Sequence, residues 1–145
     1  MLNIIKRVLL PGIGVFMLAA CGTIISRTLT HPSAQQLPAE QTATVYAPDS
    51  QGWIGGYITL VVEHTTKTAW PPEEVSKWSE AKLAPGRHTV AVACFGLGWS
   101  QVFPVEIDAI VGHIYRLSCD VVRIDEKRVA ARVLVTDEGV TERGH

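Results

Sequence analysis

The sequence contains three cysteines, whose thiols can be acylated, can pair in a disulfide or can bind a metal. They are Cys21, Cys94 and Cys119. Cys21 lies near the start of the chain in a stretch without charged residues, whereas the other two lie in the second half. Each of the later two follows a histidine by six residues. The early cysteine and the later pair therefore need separate explanations.

The residues before Cys21 have the order and proportions of a secretory signal peptide. Lys6 and Arg7 give the start a positive charge, an apolar stretch follows, and the small residues Ala19–Ala20 precede the cysteine. We therefore predict that residues 1–20 are a signal peptide that is removed from the mature protein.

The four residues from Leu18 to Cys21, "LAAC", resemble the lipobox of bacterial lipoproteins. In that family cleavage falls before the cysteine, whose sulfur then carries a diacylglyceryl group. The resemblance implies that Cys21 is the lipidation site and that its acyl chains, palmitate among them, hold the protein on a membrane. Gly22 stands where the family uses aspartate for inner-membrane retention. In a Gram-negative bacterium it implies an outer-membrane lipid anchor in the cell envelope, with the domain facing the periplasm.

Two other interpretations of this segment stay open. One is a retained membrane helix, because the uncharged stretch from Val8 to Ser26 is long enough to approach the roughly 30 Å of a bilayer core. Pro11 and the glycines that follow it interrupt the apolar run and argue against that helix. The other is a signal peptide that is cleaved without lipidation and leaves Cys21 as a free thiol.

The mature chain is long enough for one domain with its own core and too short for two ordinary ones, since 125 of the 145 residues remain without the signal. Loss of Lys6 and Arg7 from the 13 basic residues leaves 11 against 14 acidic ones, a formal charge of −3. This charge argues against a nucleic-acid partner, which would need a basic surface.

Residues 21–42 are interpreted as the lipidated cysteine and a flexible tether. From Thr23 onward the composition is rich in Ser, Thr, Pro, Gln and Ala, as in "THPSAQQLPAEQT". Such a stretch cannot bury enough apolar surface to offset the entropy lost on ordering. At the other terminus, residues 138–145 are predicted to be a frayed tail.

Residues 43–137 contain short β-branched segments with a period of two, separated by Gly and Pro, which is typical of an all-β fold. We predict a single antiparallel β-sandwich of about six or seven strands. The clearest strand segments are "TATVYA" (42–47), "YITLVVE" (57–63), "HTVAVACF" (88–95), "QVFPVEID" (101–108), "HIYRLSCDVV" (113–122) and "RVAARVLVT" (128–136). In the last two, the residues expected to face the core are Tyr115, Leu117, Cys119, Val121, Val129, Ala131, Val133 and Val135.

Two of these segments carry a further pattern. "LAPGRHTVAV" (83–92) and "IVGHIYRLSC" (110–119) resemble the L-x-P-G-x-H-x-V-x-V and G-x-x-Y-x-L patterns of small bacterial outer-membrane lipoproteins with a PEGA-like or transthyretin-like β-sandwich. The resemblance implies that sandwich fold and carries no catalytic residues. Relatives often have an Ile-Asp-Gly turn before the Pro-Gly turn, and "VVEHTTKTAW" (61–70) departs from it.

Cys94 and Cys119 are predicted to pair in a disulfide, because an exported chain meets an oxidising compartment. With 101–108 as an intervening antiparallel strand, the strands of the two cysteines run in the same direction and bring them to the same end. Within one sheet they would lie about 9.6 Å apart, beyond the roughly 7 Å that a disulfide spans. The bond therefore favours two facing sheets, and a pair of buried thiols is the alternative.

The same cysteines with His88 and His113 suggest a zinc site, and strand geometry rejects it. Six residues of a strand span about 20 Å, whereas zinc ligands lie within about 2.3 Å of one ion. The sequence also lacks G-x-S-x-G, H-E-x-x-H and a complete phosphate-binding glycine loop. We therefore predict no metal, no cofactor and no catalytic residue.

Three tryptophans that adjoin loop-forming residues, Trp53, Trp70 and Trp99, form a candidate binding site. At one end of a sandwich they would make a stacking surface for a glycan, a peptide or a lipid headgroup. The alternative is that these rings, together with Trp78, close the open ends of the core.

These observations predict a membrane-anchored, non-enzymatic lipoprotein that acts as a structural or protein-interaction module of the bacterial cell envelope. Its partners would be the membrane, through the acyl chains on Cys21, and an envelope protein. A lipoprotein that binds a ligand with its Trp-bearing loops is the alternative, and an envelope hydrolase is a more distant one.

Overall fold

The computed structural model describes residues 27–50, 52–72 and 77–140. The predicted signal peptide and the predicted lipidation site, Cys21, lie outside these residues. In the part of the chain that the structure describes, no helix has the length and apolar character needed to cross a membrane.

The described residues form two β-sheets that pack as a sandwich, so the predicted all-β fold is confirmed. The large sheet has five strands in the order β1-β5-β2-β8-β9, and the small sheet has four in the order β4-β3-β6-β7. The strands are β1 Thr28–Thr30, β2 Ala43–Tyr46, β3 Gly55–Glu63, β4 Ala69–Trp70, β5 Glu80–Leu83, β6 Gly86–Gly96, β7 Trp99–Ala109, β8 His113–Arg123 and β9 Val129–Val140. Two short 3₁₀ helices, Pro32–Ala34 and Ala39–Gln41, lie between β1 and β2.

The core lies between the sheets, where alternate residues of the strands point inward. On β6, Val90, Val92 and Cys94 are fully buried, and on β8 Tyr115 and Leu117 are buried as the period of two predicts. Burial of such side chains contributes about 1.5 to 3 kcal/mol each. The same alternation that identifies these strands in the sequence therefore also stabilises the sandwich.

The sandwich differs from the prediction in two details: the large sheet is mixed and not antiparallel throughout, and the described residues form nine strands where about six or seven are predicted. β1 pairs with β5, and β2 pairs with β8, in parallel. A short hairpin joins only antiparallel neighbours, whereas strands that are distant along the chain can pair in either direction. All four strands of the small sheet lie between β2 and β8 in the sequence. β2 and β8 are therefore not joined by a short hairpin and can pair in parallel.

The predicted flexible tether is wrong from Arg27 onward. β1 pairs with β5 at the edge of the large sheet, Leu29 is buried in the core, and His31 is fully buried just after the strand. The polar composition of this segment does not predict these contacts. Two buried side chains, a leucine and a histidine, are enough to hold the segment, because a neighbouring strand satisfies its backbone hydrogen bonds. Residues 21–26 lie outside the described part of the chain.

The predicted tail at 138–145 is wrong for its first three residues, since β9 continues to Val140. A bulge in the pairing with β8 shifts the register, so that His113 lies opposite Val140. Glu138 accepts a hydrogen bond from Nε of Arg116 at 2.7 Å. Residues 141–145 lie outside the described residues.

Candidate interaction surfaces

A disulfide between Cys94 and Cys119 joins the two sheets, as predicted. Cys94 lies on β6 of the small sheet and Cys119 on β8 of the large sheet, with 5.9 Å between their Cα atoms. Sulfurs bonded to each other are not thiolate ligands, which rules out the zinc site considered for these cysteines. Among the described residues no group of three or more His, Cys, Asp or Glu side chains is arranged to hold a metal ion.

The disulfide marks one end of the sandwich, which we call the disulfide end. Beyond Cys94, β6 turns into β7 after Gly96, and beyond Cys119, β8 turns into β9 after Arg123. β3 also begins there, because its first residue, Gly55, pairs with Phe95. Two hairpin turns and the start of β3 therefore lie together at this end.

Large apolar side chains at the disulfide end are open to solvent. Trp53 is 75% exposed, Leu97 in the β6–β7 turn 73%, and Ile124 in the β8–β9 turn 57%. A groove lined by Leu97, Trp99, Lys127 and Val129 runs between the two turns. We call Trp53, Leu97, Val122, Ile124 and Val129 the apolar rim. Large exposed apolar patches are typical of surfaces that contact another molecule.

The β8–β9 turn that presents Ile124 is held by its own hydrogen bonds. Asp125 accepts hydrogen bonds from the backbone N–H groups of Lys127 and Arg128 at 2.9 and 2.8 Å and also pairs with the Arg128 guanidinium. The Lys127 and Arg128 donors lower the pKa of Asp125, so its carboxylate stays charged. Ile124 donates its backbone N–H to the Arg128 carbonyl at 3.0 Å. The turn therefore displays Ile124 from an ordered hairpin.

The three tryptophans of the predicted binding site do not form one cluster. Trp53 lies two residues before the start of β3 and Trp99 begins β7, so both lie at the disulfide end. Trp70 pairs with Val61, six residues along β3 from Gly55, which is about 20 Å away. Trp70, Trp78 and Trp99 are only partly exposed and pack against the core. Trp53 is the one tryptophan of the four with most of its surface exposed.

The ring of Trp99 also packs against the protein's own β6–β7 hairpin. Gly96 and Trp99 are opposite each other across the β6–β7 hairpin, and a side chain on Gly96 would collide with the indole ring. An aromatic ring placed over a strand glycine covers backbone that the glycine leaves exposed. This contact fixes the turn and leaves less of the Trp99 face free for a ligand.

Strand β9 forms an uncovered edge of the large sheet. It pairs with β8, and no second strand pairs with it within the described residues. Val133 is half-buried against the core, whereas Val135, predicted to face the core, is exposed, and so is Leu134 on the opposite face. The cross-strand neighbour of Val135, Leu117, is 1% exposed, so the exposure of Val135 follows from the place of β9 as the outermost strand of the sheet. A long edge with apolar residues on both faces is a template for the addition of another strand.

A cluster of buried polar side chains lies at the end opposite the disulfide, which we call the histidine end. The rings of His31 and His88 meet edge to face with centroids 5.8 Å apart, and neither ring is exposed. His31 donates from Nε2 to the Thr68 carbonyl at 3.0 Å, and His88 donates from Nε2 to the Ala84 carbonyl at 2.8 Å. Nδ1 of His88 has no hydrogen-bond partner among the described residues.

Burial lowers the pKa of His88, against the opposing effect of the Ala84 carbonyl. Glu63 lies directly across β3 and β6 from His88. The hydroxyl and backbone N–H of Thr66, with the backbone N–H of Thr65, lower the pKa of Glu63 to about 2. The cluster thus places a histidine whose neutral form is favoured next to a carboxylate that is charged at neutral pH, and its groups are used in packing and turn formation.

Sequence reasoning missed both the β9 edge and the histidine cluster. The alternation in "RVAARVLVT" indicated a strand but not whether a second sheet covers it. His31 carried no signal, since it falls in a segment of tether-like composition. Comparison with known proteins adds no assignment, because no family model, curated protein or solved structure matches this chain significantly.

Proposed function

We propose that this protein is a membrane-anchored, non-enzymatic lipoprotein that acts as a protein-interaction module of the bacterial cell envelope. One observation carries the proposal: a signal-like segment that ends at Cys21 precedes a sandwich whose other two cysteines are joined across the core. Disulfides persist in exported proteins and are rare in the cytosol. A cysteine of the lipobox type in such a protein is a substrate for acylation, which leaves the domain tethered to a lipid surface.

The edge of β9 is where we expect an envelope protein to bind. Strand addition would satisfy the free backbone groups of β9 and would cover Leu134 and Val135. Charges near this edge are already paired, because Arg132 donates to Asp120 at 2.7 Å and Arg116 to Glu138 at 2.7 Å. What the edge offers a partner is therefore backbone hydrogen bonding and apolar contact.

Crosslinking in intact cells followed by purification of the full chain tests this function. We expect one stoichiometric envelope protein to co-purify. Val135→Lys places a charge in the proposed contact and should reduce recovery of the partner about tenfold, the change that corresponds to 1.4 kcal/mol. Val102→Lys is the matched control, since Val102 is an exposed valine on β7, the edge of the small sheet. Absence of a stoichiometric partner, or equal recovery with both variants, would contradict the proposal.

Ligand binding by the Trp-bearing loops is a second candidate, and the exposure of Trp53 at the disulfide end favours it. The expected signature is saturable quenching of tryptophan fluorescence by a glycan or peptide, and loss of that signal in Trp53→Phe. Binding that survives in Trp53→Phe would exclude this candidate site.

A further inference from the structure

We propose that the disulfide end of the sandwich lies against the lipid surface, with the apolar rim in the headgroup region of the bilayer. The inference rests on the proposed lipidation of Cys21. It adds a second membrane contact and an orientation for the domain, neither of which follows from lipidation alone.

The direction of β1 sets which end of the domain the anchor reaches. β1 is parallel to β5, β5 is antiparallel to β2, and β2 is parallel to β8. β1 therefore runs opposite to β8, and the residues before Thr28 lead toward the disulfide end. Arg27 is fixed in this position, since its backbone N–H donates to Oγ of Ser79 at 2.9 Å and its carbonyl accepts from the Ser79 N–H at 3.0 Å.

The covalent length of the linker then limits how far the domain can stand from the bilayer. Six residue steps join Cys21 to Arg27, which span at most roughly 22 Å in any conformation. Thr28 is level with Arg116, through the register of β5 and β2. From Leu117, level with Arg27, β8 continues six residues to Arg123, which is about 20 Å. A fully extended linker therefore only just reaches the level of the β8–β9 turn.

In an upright domain, acyl chains on Cys21 enter the lipid only when that turn is itself at the surface. A domain held upright by this linker brings Ile124 and Leu97 to the bilayer. A domain tilted toward the β1 edge brings Trp53 nearer, because β3 begins at the same end. Both arrangements place part of the apolar rim in contact with lipid, and neither brings the histidine end to it.

The chemistry of the rim suits this location. Tryptophan is enriched at the depth of the headgroups, where its ring is apolar and its N–H stays hydrated. The β8–β9 turn also carries Arg123, Lys127 and Arg128 against Asp125 and Glu126, a net charge of +1 in a protein whose mature charge is −3. Arg123 and Lys127 are exposed and can reach lipid phosphates with long side chains.

Fluorescence of the native, membrane-extracted protein on vesicles tests the proposal. The vesicles contain phosphatidylethanolamine and phosphatidylglycerol, with a brominated phosphatidylcholine as quencher. Flotation reports the lipid anchor, and quenching of tryptophan reports contact of the rim. We expect the protein to float and to be quenched, with roughly half or more of the quenching lost in Trp53→Phe, the indole placed at headgroup depth.

A paired set of double variants locates the contact. Leu97→Ser with Ile124→Ser should reduce quenching, because it removes the two apolar tips of the rim. Ile110→Ser with Val111→Ser removes two exposed apolar residues at the histidine end and should leave quenching unchanged. All four residues are at exposed positions, so each variant is expected to fold.

The outcomes separate this inference from the proposed function. A protein that floats without quenching, or that is quenched equally in both double variants, overturns the membrane-facing rim and leaves the lipoprotein proposal standing. Rim-to-rim crosslinks between two copies, in place of quenching, also overturn it. A protein that carries bare sulfur at Cys21 and does not float overturns the anchor and the orientation together.

Discussion

A side-chain carbon on Gly56 would lie 3.0 Å from Sγ of Cys119. The same carbon would be 2.8 Å from the carbonyl oxygen of Ala93 and 2.9 Å from Cγ of Pro48. Gly56 is the cross-strand neighbour of Cys94, so the position beside the disulfide is one where only a hydrogen fits. The disulfide between the sheets therefore occupies space that a side chain at position 56 of β3 would fill.

Gly56→Ala should lower the free energy of unfolding by about 1 to 3 kcal/mol, since the added methyl group forces the backbone or the disulfide to move. Urea denaturation measures the change. Gly52→Asn is the control, because Gly52 has φ of 60° with open space around it and asparagine adopts that conformation readily. Equal stability of Gly56→Ala and the parent protein would show that the packing around Gly56 leaves room for a methyl group.

Replacement of both cysteines, Cys94→Ala with Cys119→Ala, should cost about 3 to 4 kcal/mol in the chain-entropy treatment of a closed loop. The sequence separation of the cysteines is 25 residues, and Cys94 is fully buried. Thermal or urea unfolding gives the difference. The number of free thiols in the denatured parent protein, with and without reductant, provides the control, and equal numbers would contradict the bond.

Stability should fall as the pH drops below about 6.5, in part because His88 is buried in its neutral form. Burial lowers the pKa of His88 from 6.5 in the folded protein, so the unfolded chain binds the proton first. The groups around it are the Ala84 carbonyl, His31, Glu63 and His64. The melting temperature between about pH 7 and pH 5 measures this loss.

In His88→Gln that pH dependence should be shallower, because Gln keeps a donor for the Ala84 carbonyl and takes up no proton. The parent protein, measured over the same pH range, is the comparison. A slope that is identical in His88→Gln and the parent protein would remove His88 from the account of acid sensitivity.

Tyr115 closes the connection between β7 and β8 through its hydroxyl. The hydroxyl donates to the Asp108 carbonyl at 2.9 Å and accepts from the Ile110 N–H at 3.0 Å. Tyr115→Phe leaves both backbone groups without this partner and should cost about 1 to 3 kcal/mol. Tyr57→Phe, which keeps the ring contact with Phe95, should change stability by less than about 0.5 kcal/mol. Equal effects of the two variants would contradict the role of the hydroxyl.

The strands with local alternation could be predicted from the sequence, and the short ones could not. β2, β3 and β6 to β9 all fall on segments with a period of two, and the spacing of Cys94 and Cys119 indicated facing sheets. β5, by contrast, is "EAKL", whose residues favour a helix as readily as a strand. Its strand conformation depends on pairing with β2 on one side and β1 on the other.

The candidate surfaces were less predictable than the fold. Trp53, Trp70 and Trp99 look alike in the sequence, since each adjoins a loop, yet one is exposed and two pack against the core. Val133 and Val135 have the same place in the alternation, yet Val133 packs against the core and Val135 is exposed. Whether such a side chain is exposed depends on which strands of the two sheets face each other. These strands are distant in the sequence, so the local pattern does not predict the exposure.

The mass of the native protein extracted from membranes tests the central claim most directly. The account predicts a chain that begins at Cys21, with the added mass of a diacylglyceryl group and a further acyl chain on that residue. A product that retains residues 1–20, or one whose Cys21 sulfur is bare, would contradict it.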